Sequence, residues 1–85
     1  MNATTMKPRK MTPATRRKMI ADLTSRLTWQ DVAKLDLPRG TYIVAKTVGG
    51  GHEVYREYRH ADQLVGFATD FDGVLDLIQA DYRRP

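Results

Sequence analysis

Apolar residues recur along the chain with two different periods, and the change of period divides it. Phe71, Val74, Leu75, Ile78 and Tyr82 stand at i, i+3, i+4, i+7 and i+11, one face of an α-helix. Leu77 widens that stripe, while Asp72, Asp76 and Asp81 lie mostly off it. Met19, Ile20, Leu23 and Leu27 make a narrower helical stripe behind Thr12-Pro13, which offers an N-cap and a proline at the first helical position. Thr28-Trp29-Gln30-Asp31 reads as a weakened capping box, predicting a second short helix through Leu35 that buries Trp29, Val32 and Ala33. Periodicity alone leaves open whether residues 13–35 form one helix or two.

Between residues 41 and 69 the period falls to two. Thr41 to Val48 puts Tyr42, Val44 and Val48 on one face and Ile43 and Ala45 on the other. Gly49-Gly50-Gly51 makes a hairpin loop, and His52 to Arg59 returns as a more polar strand with Val54 and Tyr58 opposite Tyr55. His60-Ala61-Asp62 turns the chain into a third strand, Gln63 to Thr69, in which Gly66 marks a bulge or a close neighbour. Short strands joined by tight turns pair antiparallel with their sequence neighbours. The expectation is a small α+β domain over residues 12–85, ordered α-α-β-β-β-α. Its three-stranded antiparallel meander is packed by the C-terminal helix, and residues 1–11 form a disordered basic arm.

Charge changes this picture more than composition does. Residues 1–40 hold nine basic side chains against three acidic ones, and residues 41–85 hold five against seven, giving the chain its net +4. Six of the basic residues (Lys7, Arg9, Lys10, Arg16, Arg17 and Lys18) precede Ile20 without an intervening acid. Three of them open the first helix, next to the positive end of its dipole, a local cost that hints at a use for the charge. No apolar run approaches the ~20 residues of a membrane span, and no apolar segment follows the basic start as in a secretory signal. The chain has no cysteine, which suits a reducing cytoplasm and excludes disulfides and thiolate metal sites. At 85 residues a single core is marginal, and homodimerisation would add buried surface.

Catalytic constellations are not expected. Asp70-Phe71-Asp72-Gly73-Val74-Leu75, behind the apolar run Leu64 to Ala68, resembles the first motif of the haloacid-dehalogenase phosphatases. That resemblance would make Asp70 a nucleophile and Asp72 a general acid with magnesium between them. The family sets this motif early in a much larger parallel-sheet domain, whereas here it lies near the C-terminus, so helix capping is the preferred reading of both acids. Gly49-Gly50-Gly51 lacks the Gly-Lys-Ser/Thr of a phosphate loop. His52 and His60 lie about 26 Å apart along one strand at ~3.3 Å per residue, too far to share a metal ion. No cofactor is implied.

The basic residues remain. Lys7, Arg9, Lys10, Arg16, Arg17 and Lys18 suit phosphate contacts. Lys46, Arg56, Tyr58 and Arg59 would mix basic and aromatic groups on an open sheet face, with Tyr42 there too unless it packs in the core. A three-stranded meander followed by a packing helix is similar, in order of elements only, to the AP2 and integrase-arm DNA-binding domains, which lay their sheet in the major groove. The expected function is therefore a small cytoplasmic, non-enzymatic protein that engages nucleic acid or a nucleic-acid-handling complex through its basic N-terminal region. The alternative is a phage-type accessory protein that inhibits or adapts a host complex by protein–protein contact, through an exposed sheet edge with Tyr55 and Tyr58.

Overall fold

The computed structural model of the protein describes residues 12–83, so the expected arm over residues 1–11 lies outside them. Six elements follow in order: α1 (Pro13–Trp29), β1 (Val32–Leu37), β2 (Gly40–Lys46), β3 (His52–Glu57), β4 (Asp62–Ala68) and α2 (Phe71–Tyr82). The strands form one antiparallel meander in the order β1-β2-β3-β4. The α+β class and the meander hold, with four strands in place of three.

Both helices start as the cap residues dictate. The Thr12 hydroxyl accepts from the Thr15 amide at 3.2 Å, with Pro13 behind it, and an Asp70 carboxylate oxygen accepts from the Gly73 amide at 2.7 Å. Asp72 sits in the first turn of α2, at the positive end of its dipole. Helix α1 runs through Thr28, whose hydroxyl donates to the Thr24 carbonyl instead of capping a new helix, and ends where the Gln30 amide donates to Arg26.

The expected second helix is a strand, the main correction. Val32 and Leu35 are three apart, as on a helix, but Ala33, Leu35 and Leu37 are two apart, and the second period wins. Ala33 and Leu35 are buried against the helices while Val32, Lys34 and Asp36 face away. Trp29, expected in the core, is 87% exposed, because α1 ends there and the chain swings out to enter β1. Residues Pro38 and Arg39 turn β1 into β2, with Leu37 facing Gly40. Strand β2 ends at Lys46, so Val48 lies in the glycine loop, fully exposed, instead of extending the apolar face.

The core lies between one face of the sheet and the two helices. It joins Leu23 and Leu27 of α1, Tyr42, Val44 and Val54 of the sheet, and Val74, Leu75, Ile78 and Tyr82 of α2. Each fully buried aliphatic side chain there contributes about 2 kcal/mol of transfer free energy. The register of β4 shifts beside Val54 and Tyr55, leaving Val65 as the extra residue of a bulge. Gly66 is the close approach its sequence position suggests: a Cβ there would stand 2.9 Å from a Leu77 methyl of α2. In the loop after β2, Gly50 and Gly51 take φ of 93° and 90°, values open to glycine.

Candidate functional site

The sheet has a covered face and an open one, and the register sorts the expected binding residues between them. Lys46 and Arg56 fall in step with Tyr42, Val44 and Val54, so they point to the helix side and do not line the open face as expected. The Lys46 ammonium donates to the Leu27 carbonyl at 2.7 Å, supplying positive charge where the last turn of α1 needs it. Arg56 donates to Asp81 at 3.0 Å, to the Tyr42 hydroxyl at 3.1 Å and to the Arg39 carbonyl at 2.9 Å. The Tyr42 hydroxyl in turn donates to Asp81 at 2.7 Å. Burial, with the charge and hydrogen bond of Asp81 behind it, pushes the Tyr42 phenol well above its ordinary range, and the Asp81 hydrogen bond raises Arg56. This cluster ties the end of α2 to β2 and β3, and Tyr82 completes it by accepting from the Arg39 amide at 3.0 Å.

Arg16 is also committed internally. From α1 it reaches Asp72 at 3.1 Å and Asp76 at 3.2 Å on α2, and it donates to the Asp72 carbonyl at 3.0 Å. The Asp72 hydrogen bond raises its pKa. Positive charge at the start of α1 therefore has a structural use in this residue. Arg17 and Lys18 beside it are exposed. Tyr58 and Arg59 lie after the end of β3, in the turn toward β4. Arg16 meets the first turns of α2 and Arg56 its last, about 13 Å apart along the helix at ~1.5 Å per residue. The structure thus separates the expected basic residues instead of gathering them, and Lys7, Arg9 and Lys10 lie outside the described residues. Residues 12–83 carry ten basic and ten acidic side chains, so they are neutral as a body.

Asp70 and Asp72 are occupied as cap and ion-pair partner, and β4 before them is antiparallel, unlike the parallel strand that precedes the phosphatase motif. Among the described residues no group of three or more His, Asp or Glu could hold a metal ion. An open cleft of about 260 Å³ lies between α2 and the β3–β4 hairpin, lined by Arg56, Tyr58, Gln63, Leu64, Val65 and Leu77. Its guanidinium is already matched by Asp81, so it offers little net charge to a ligand.

The open face was the less legible site. Two register rows cross it: Val32, Ala45, Glu53 and Phe67, then Lys34, Ile43, Tyr55 and Leu64. No helix covers these side chains, and Leu64, Phe67 and Val32 are 57%, 54% and 47% exposed. Lys34 pairs with Glu57 at 3.0 Å, and the Tyr55 hydroxyl donates to Glu53 at 2.7 Å, each contact raising the donor's pKa. The alternation of Ile43 and Tyr55 with core residues signalled an outer row, but the missing fourth strand hid Val32 and Lys34 from it. No helix among the described residues is long and apolar enough to cross a membrane. Comparison of the chain with known protein families, with curated proteins and with solved structures finds no match.

Proposed function

We propose that the protein is a small non-enzymatic accessory protein that acts by docking another protein on the open face of its sheet. The observation that carries this reading is the exposure of Val32, Leu64 and Phe67 across a face that no helix covers. Antiparallel sheets tolerate one solvated face, but that face is then normally polar. Here each of the two register rows carries one charged residue, Glu53 or Lys34, among side chains that are otherwise apolar or aromatic, as on surfaces that meet a partner. Replacing Leu64 and Phe67 by serine leaves the helix-covered core intact. The wild-type chain should retain a protein partner from nuclease-treated cell extract, and the doubly substituted chain should lose it. A partner retained equally by both, or retained only while nucleic acid is present, overturns the reading.

A second reading, nucleic-acid binding through the basic N-terminal region, is favoured by a separate observation. Arg17 and Lys18 are exposed at the start of α1, adjoining the segment that carries Lys7, Arg9 and Lys10. Fluorescence anisotropy with DNA and RNA should then show affinity that falls steeply with salt and drops when Arg17 and Lys18 become glutamate. Binding absent at low salt, or indifferent to that substitution, counts against it.

A further inference from the structure

We propose that the open face of the sheet takes a protein surface that presents lysine and arginine side chains among apolar ones; the proposal rests on the sheet-docking reading above. The argument is one of charge. The charged side chains of that face are Lys34, Asp36, Glu53, Glu57 and Asp62, a net charge of −3 in a body that is neutral as a whole. Glu57 pairs with Lys34 at 3.0 Å, whose charge is also felt by Asp36 and Asp62, while among the described residues Asp36, Glu53 and Asp62 form no ion pair of their own. Among the described residues Asp36 accepts from the Thr41 hydroxyl and Glu53 from the Tyr55 hydroxyl, neutral donors that keep both carboxylates in place without cancelling them. Val32, Ile43, Ala45, Leu64 and Phe67 make the apolar part of the face; Glu53 stands among them between Ala45 and Phe67, and Asp36, Glu57 and Asp62 lie together at the other end of the strands.

Two other occupants fit less well. Nucleic acid would set its phosphates against these carboxylates, and the net negative charge of the face opposes that. A second copy stacked face to face would bring two negative surfaces together. The face measures about 20 Å by 20 Å at ~3.3 Å per residue and ~4.8 Å per strand, roughly half the ~800 Å² per partner of a standard stable interface. A homodimer built here lacks both area and charge complementarity. A basic partner gains what area does not supply, because opposite charge speeds encounter and fixes orientation. The contact is of the small, transient kind.

Three synthetic peptides with the same valine positions, alternating valine with lysine, with serine or with glutamate, serve as probes, read by amide chemical-shift mapping on the full chain. The lysine peptide should shift the amides of all four strands, centred on Ile43, Tyr55, Leu64 and Phe67. Its affinity should fall about tenfold or more between about 50 mM and about 500 mM salt, as screening of a multiply charged contact requires. Replacing Glu53 and Asp62 by lysine turns the face from −3 to +1, and preference should then pass to the glutamate peptide. Dispersed amide spectra of that variant establish that it is folded. Equal binding of all three peptides overturns the charge class while leaving sheet docking in place. Failure of all three to bind overturns sheet docking itself, as do shifts confined to the edge strand β1 or β4, which signify strand addition. A wild-type chain stacked on itself, seen as concentration-dependent shifts on the same amides without peptide, overturns the proposal in favour of a homodimer.

Discussion

His52 sits on the covered face of β3 with its ring 4.6 Å from that of Phe71, the first residue of α2. Its Nδ1 is buried without a hydrogen-bond partner. Burial, followed by the charge of Lys46 across the strand pair, holds its pKa below the usual 6.5. The folded protein therefore binds this proton less readily than the unfolded chain does. Above pH ~6.5 neither state is protonated and the full stability is present; below it the unfolded state takes up the proton first, and stability falls until the lower folded pKa is passed. Thermal melts should show a loss in that window that disappears in His52→Gln, while a wild-type curve flat from pH 7.5 to pH 5 shows that the ring is solvated. The same accounting of buried polar atoms applies to Tyr42. Removing its hydroxyl in Tyr42→Phe should cost about 1–2 kcal/mol, since Asp81 and Arg56 keep each other but lose a shared partner. Urea unfolding measures it, and a change under about 0.3 kcal/mol means that water replaces the hydroxyl.

At the scale of elements, two arginines tie α2 down at its two ends, and they should not be equivalent. Arg16 spans from α1 to acids that are themselves open to water, so Arg16→Met should cost about 0.5–1 kcal/mol, most of it removed by salt. Arg56 makes three hydrogen bonds in a partly buried setting, and Arg56→Met removes all three together with the ion pair to Asp81, at a cost of about 2 kcal/mol or more. Equal costs for the two overturn this ranking. Both helices were legible because their cap residues and apolar stripes agree: Thr12-Pro13 and Asp70 stand where the structure starts α1 and α2. Strand β1 was not legible, because six residues are too few to separate a period of three from a period of two. Its proper partner, β2, is specified only by tertiary pairing. Trp29 is the clearest test of that correction. Trp29→Ala should change stability by less than about 0.5 kcal/mol, as for exposed positions generally, while Leu35→Ala on the buried side of β1 should cost about 2–4 kcal/mol. Indole emission at long wavelength, open to acrylamide quenching, is the independent sign.

For the molecule as a whole, the distribution of charge separates folding from net charge. Residues 12–83 are balanced, so the chain's net +4 is supplied by Lys7, Arg9, Lys10 and Arg84. This is why the basic half read from sequence is not a free positive surface in the fold: Arg16, Lys46 and Arg56 count as positive in a tally of letters, but each is held by a carboxylate or a carbonyl. The cap of α1 begins at Thr12, and the core built by the described residues follows it. A chain starting at residue 12 should therefore melt within about 2 °C of the full chain, because a shift of that size corresponds to only a few tenths of a kcal/mol in a domain this small. Its net charge falls from +4 to +1, so any affinity for polyanions such as heparin should collapse with it. The proposed docking face is built from β1 to β4, so the lysine peptide should bind the shortened chain as before. If shortening the chain abolishes peptide binding and leaves heparin retention untouched, the assignment of positive charge to the front of the chain and of docking to the sheet is reversed.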